Sequence, residues 1–175
     1  MDDGGCELDE TALVHLYERL ERSLYNVVYR YLWRPEDSQE VVQEAFLRLW
    51  RMRRKVRMDS VEPLLYRIAL NTATSRVRKR RVWRWASLEA LKDRASPSPG
   101  AEDLAAGVEE RDRVRRAIEE LPADLRKVVL MCELAGLSYQ QVADTLEIPV
   151  GTVGSRRHRA MGLLRRSLGG GHHGG

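Results

Sequence analysis

An all-α fold is what this sequence predicts, built as two small helical domains joined by an acidic linker that contains proline and glycine. Three observations predict it. Apolar residues recur every three or four positions through most of the 175 residues, no stretch sustains the period-two alternation of a strand, and the chain holds a single Phe. With 43% hydrophobic and 32% charged residues, the composition is that of a soluble, foldable chain.

From Asp9 to Leu32 the apolar positions Leu13, Leu16, Tyr17, Leu20, Leu24, Val27 and Tyr31 mark a helix packed on one side. Trp33, Arg34 and Pro35 break it, because proline disfavours helical geometry in the residue before it. A second helix runs through DSQEVVQEAFLRLW, with Val41, Val42, Ala45, Phe46 and Leu49 inward and Glu40, Gln43, Glu44 and Arg48 at least partly outward. After the break RRKVRMDS, a third helix through EPLLYRIALNTATSRVRKRRVWRW ends in a basic cluster and two tryptophans. Residues 87–110 then carry six acids against two bases, with Pro97, Pro99 and Gly100 at the centre, which reads as a linker with short helical pieces at most. Val114, Ala117, Ile118 and Leu121 start the next helix, and Leu125, Val128, Val129, Met131 and Cys132 the one after. The expected boundaries are 1–86 and 111–168 for the domains, 87–110 for a flexible linker and 169–175 for a disordered tail.

The stretch from Ser138 to Leu168 reads as two helices joined by a tight turn. Ser138 and Gln141 have the spacing of a capping box, and Pro149 is expected at the first position of the second helix. On that helix Thr152, Ser155, Arg156 and Arg159 share an arc of about 100°, while Val153, Ala160 and Leu164 lie on another face. In a helix-turn-helix the second helix enters the DNA major groove, where Arg grips guanine and Thr or Ser reaches a phosphate or a base edge. Periodicity alone leaves open a solvated basic helix in an ordinary bundle. On the third helix Arg67, Asn71, Ser75 and Arg78 fall within about 80°. Such a polar stripe, continued by Lys79, suits the edge of opened DNA. Trp83 and Trp85 are expected as packing anchors before stacking platforms.

Net charge is +4 and the isoelectric point near 9.3, but distribution matters more than the total. Arg51, Arg53, Arg54, Lys55 and Arg57 form one basic cluster, and Arg76, Arg78, Lys79, Arg80, Arg81 and Arg84 another, both able to hold phosphates. The acidic N-terminus is unlike a signal peptide and no apolar run approaches the roughly 20 residues that span a bilayer, so a cytoplasmic protein is expected. Cys6 and Cys132 lack metal-ligand or disulfide spacing, and the His172–His173 pair is a poor metal site, so neither metal nor cofactor is expected. HExxH, P-loop, GxSxG and paired Cys/His signatures are absent, which speaks against an enzyme, a catalytic residue or a small-molecule substrate.

LSYQQVADTLEIPVGTVGSRRHRA resembles the region-four helix-turn-helix of bacterial sigma factors, especially the small extracytoplasmic function (ECF) group, and Leu121–Pro122 resembles the start of that region. EVVQEAFLRLW is similar to the family's core-binding helix, and LLYRIALN with the basic residues after it to the part that melts and reads the downstream promoter element. The resemblance implies a promoter-specificity subunit without catalysis of its own. Its implied partners are the clamp and flap regions of RNA polymerase core, promoter DNA and an anti-sigma factor, often membrane-anchored. It implicates Glu40, Gln43 and Glu44 in core binding, Arg67, Asn71, Ser75, Arg78 and Lys79 at the downstream (minus-ten) element, and Thr152, Ser155, Arg156 and Arg159 at the upstream (minus-thirty-five) element. The loop Lys55 to Glu62 is similar to the segment that captures a flipped base. Departures from the family pattern are Glu40 for Asp, Leu64 for Trp, Glu147 for Gly in the turn, Gly154 for a basic residue, and Arg157 for an aliphatic one. The alternative reading is a helix-turn-helix regulator that binds duplex DNA by itself.

Overall fold

A computed structural model describes residues 8–88 and 105–169. Among these residues the chain is helical, with α1 (Glu10–Leu32), α2 (Pro35–Arg51), α3 (Val61–Leu88), α4 (Ala105–Glu120), α5 (Ala123–Glu133), α6 (Tyr139–Leu146) and α7 (Val150–Gly169). Asp9 caps α1, accepting from the Ala12 N–H at 2.7 Å. The helix ends where Trp33 turns left-handed at φ 55° and its N–H returns to the Tyr29 carbonyl. α2 begins at Pro35, two residues before the expected start, because the ring is pre-set for the first helical position. Ser38, fully buried in its first turn, donates to the Arg34 carbonyl at 2.6 Å.

The first half packs α1, α2 and α3 around Leu16, Leu24, Val27, Val41, Ala45, Leu49, Leu65, Tyr66 and Leu70. All five expected inward residues of α2 are buried. Tyr17 is half in water and spends its apolar body on Phe46, with ring centroids 4.9 Å apart. The second half packs α4, α5, α6 and α7 around Leu121, Leu125, Val128, Met131, Val142, Val153 and Ala160.

Both ends of the expected linker are helical, since α3 runs to Leu88 and α4 starts at Ala105. Residues 89–104, with Pro97 to Gly100, lie outside the described residues, as do Cys6 and the tail with His172 and His173. The two halves touch. α1 packs against α4 and α5, α3 lies along α6, and the buried apolar residues of both halves form one connected cluster.

Candidate nucleic-acid interface

Asn71, Ser75, Arg78 and Lys79 line one open groove of about 360 Å³ between α2 and α3, together with Thr72, Arg76, Glu44 and Arg48. Helical spacing places the four on one face of α3, and Glu44 and Arg48 of α2 close the other side. Thr72 of the same lining is buried, and its hydroxyl oxygen, itself shut off from solvent, has no hydrogen-bond partner among the described residues. Arg78 and Lys79 are exposed, so a strand in the groove would meet two cations and an amide. Arg67, the first residue of the expected stripe, points elsewhere: it pairs with the Glu147 carboxylate in the second half.

On α2, Glu40 and Gln43 are exposed and Glu44 is half-buried. Glu40 is not a bare surface acid, because Arg76 of α3 reaches it at 2.7 Å and also lies 3.5 Å from Asp37 and 3.7 Å from Glu44. The hydrogen bond to Glu40 and the surrounding carboxylates raise the Arg76 guanidinium above its ordinary pKa. Arg80 joins by pairing with Asp37. Arg76 was in the basic cluster without a role. The signal for one was the series Asp37, Glu40, Glu44, spaced by three and four on the helix that α3 packs against.

The loop between α2 and α3 holds two short 3₁₀ turns, Arg53–Lys55 and Met58–Ser60. Arg53 stacks 4.2 Å over the Trp50 ring and donates to its carbonyl, and Arg57 pairs with Asp59. Trp83 stands 70% exposed near the end of the described part of α3, so it is not the packing anchor expected of it. The side chain of Trp85 lies outside the described residues.

In the second half the capping box is complete. The Ser138 hydroxyl accepts from the Gln141 N–H at 3.2 Å and the Gln141 side chain accepts from the Ser138 N–H at 2.8 Å. Pro149 sits one position before α7, not within it; its carbonyl takes the Thr152 N–H at 2.9 Å, the bond that opens the helix. Val153 and Ala160 are buried, Ser155 and Arg159 exposed, and Thr152 and Arg156 half-buried. Ser155 donates to the Thr152 carbonyl at 3.1 Å. Arg156 lies 3.3 Å from Asp124 of α5, whereas Arg159 makes no ion pair among the described residues. Arg157 resolves as a surface clasp: it binds Glu133 at 2.6 Å, and hydrogen bonds to Glu133 and Tyr139 raise its pKa. At Gly154 an added Cβ would stand 3.5 Å from the Tyr139 ring, an ordinary contact.

Residues 16–82 match the family described as Sigma-70 region 2, and residues 111–164 match Sigma-70, region 4. The chain is 38% identical over 166 residues to the ECF RNA polymerase sigma-E factor of Escherichia coli K12, covering 87% of this chain and 84% of that protein. The chain belongs to the ECF group of sigma-70 factors. It is also 31% identical over 146 residues to the ECF RNA polymerase sigma factor SigE of Mycolicibacterium smegmatis, covering 83% of this chain and 57% of that protein. The fold is shared with the sigma factor RpoE in complex with the anti-sigma factor NepR from Bartonella quintana, at TM-score 0.65, 22% identity and 89% and 97% coverage. It is shared as well with CnrH in complex with the cytosolic domain of CnrY, at TM-score 0.69, 23% identity and 93% and 91% coverage.

In this ECF factor the region 2 match contains the whole α2/α3 groove, and the region 4 match contains Thr152, Ser155, Arg156 and Arg159. The helical reading of both domains holds, and so does the sigma-factor reading over the stand-alone regulator. Among the described residues no helix is long and apolar enough to cross a membrane. One further surface was not visible from the sequence. An apolar groove of about 510 Å³ opens between α4, α5 and α7, lined by Val114, Ile118, Val129, Leu134, Met161 and Leu164, with Leu134 43% exposed.

Proposed function

We propose that this ECF sigma factor acts without catalysis of its own, in the cytoplasm, by holding RNA polymerase core through region 2 and region 4 while reading two promoter elements. The α2 face with Gln43, Glu40 and Glu44 meets the clamp. Asn71, Ser75, Arg78 and Lys79 hold the downstream element in the α2/α3 groove, with Arg67 at the near end once it is free of Glu147. Arg159 and Arg156 recognise the upstream element, and Thr152 and Ser155 position α7 on it. The apolar groove between α4, α5 and α7 suits an apolar helix of the polymerase flap, by the helix-in-groove mode.

The observation that carries this reading is the gathering of four expected downstream-element residues, Asn71, Ser75, Arg78 and Lys79, into a single groove. The solved relatives were each captured with an anti-sigma factor or the cytosolic domain of a partner, so an anti-sigma factor is part of the proposal, membrane-anchored as the family resemblance implies. The test is whether the purified protein co-elutes with bacterial core polymerase and directs run-off transcription from the promoter upstream of its own operon. Co-elution without transcription would refute the promoter-reading half.

A further inference from the structure

The seam between the two halves takes up side chains that the reading above assigns to DNA. Arg67 of α3 pairs with Glu147 in the turn of the helix-turn-helix, 80 positions later. Asn71, one helical turn on, accepts from the Lys127 ammonium of α5 at 3.4 Å. The same seam holds Arg126 5.2 Å over the Tyr31 ring and Arg115 5.8 Å over the Trp33 ring. Glu147 occupies its place in the left-handed region, φ 54°, where a side chain with a Cβ is disfavoured and glycine is not. Its backbone N–H caps α6 on the Ala143 carbonyl, and its side chain pairs with Arg67 across the seam.

We propose that Glu147 is an internal latch: its carboxylate stands on Arg67 where a phosphate oxygen would stand. With Lys127 on Asn71, it keeps the free protein from presenting the start of its own downstream-element stripe. The proposal rests on the assignment of that stripe to DNA. The latch is weak by construction. The Glu147 side chain is 73% exposed and that of Arg67 32%, so water and salt screen the pair. An exposed pair of this kind biases a closed–open equilibrium about two- to fivefold. Contacts with core polymerase can overcome that, while the half-buried cations around it set where the halves meet.

The experiment uses the full chain with Cys6→Ser and Cys132→Ser and fluorophores on cysteines placed at the exposed Glu18 of α1 and His158 of α7. Glu147→Gln removes the charge and Glu147→Gly also relaxes the turn; Glu120→Gln, an exposed acid on α4, controls for net charge. Both Glu147 variants are expected to lower energy transfer, shifting the equilibrium about two- to fivefold toward the open form. They should raise affinity for a labelled single-stranded oligonucleotide in proportion to the gain in open fraction, by about twofold if the free protein is half closed and by up to about fivefold if the closed form dominates, with Glu120→Gln doing neither and Glu147→Gly showing no loss of thermal stability. Unchanged transfer in both variants overturns the latch. Opening without a gain in oligonucleotide affinity overturns the masking. Arg67→Ala with Asn71→Ala in the Glu147→Gln background separates the failure of the underlying reading: if affinity does not fall there, the stripe is not a DNA surface, whatever the fluorophores report.

Discussion

At the scale of single residues, the two arginines proposed to read the upstream element are not equivalent. Arg156 must leave Asp124 before it can reach a base, and Arg159 gives up no ion pair among the described residues. A bidentate Arg–guanine contact carries about 1–3 kcal/mol of discrimination, so Arg159→Ala is expected to relax preference at one promoter position by roughly tenfold. Arg156→Ala should cost less, and Asp124→Asn should tighten binding by freeing Arg156. Affinity for a panel of single-base promoter variants at two salt concentrations checks this, since a phosphate contact would weaken all sequences alike and lower the salt slope by about one unit. Tyr66 offers a test of the core. Burial raises its phenol pKa above 10.0, only partly countered by its 2.9 Å hydrogen bond to Ser23. The folded pKa lies above the unfolded one, so this contribution is fully present below pH about 10 and is lost as pH rises through the folded value. Tyr66→Phe should cost about 1 kcal/mol near neutral pH from the lost hydrogen bond and flatten the alkaline fall. Urea unfolding of both proteins at pH 8 and above 10 measures both effects.

Among the elements, the α2–α3 pair shows why a helical wheel finds a face but not its partners. Glu40, Gln43 and Glu44 all sit on the outward side of α2 as expected, yet Arg76 reaches across 36 positions of sequence to hold Glu40. The clean probe of core binding is therefore Gln43. Gln43→Ala is expected to leave thermal stability unchanged and weaken affinity for core polymerase. Arg76→Ala should lower stability by about 1 kcal/mol, a figure kept small because its partners are partly exposed. Equal stability losses in the two variants would contradict this division. Helix positions, the capping box at Ser138 and the buried face of α2 were legible because they are set by neighbours within four residues. Glu147 with Arg67, Arg156 with Asp124 and Trp83 in water were not, because each depends on how distant helices meet. Arg157 lay between: its angle on α7 placed it beside the buried face, but only the position of Glu133 made it a clasp.

For the whole molecule, the sequence reading of two domains free about Pro97 to Gly100 meets a structure in which the halves touch. The two can hold together if the seam is weak and the connection makes it effective. A flexible linker of the 16 residues 89–104, as the sequence reading expects, would supply an effective concentration on the order of millimolar. A seam with a dissociation constant near 1 mM, about −4 kcal/mol, would then be about half closed in the intact chain. Its exposed ion pair and two cation–π contacts are each worth about 1 kcal/mol or less, so a seam in that range requires the apolar contacts that join the halves to add little beyond the cost of ordering them. The expected outcome of inserting a protease site between Pro97 and Gly100 follows from this arithmetic. Cut protein at about 10 μM should elute as two separate helical fragments, because dilution below the dissociation constant removes what the tether supplied. Co-elution at that concentration would put the constant at or below about 10 μM and the intact chain about a hundredfold in favour of the closed form. A single change at Glu147 would then be too small to open it, so the cleavage experiment and the latch experiment must agree.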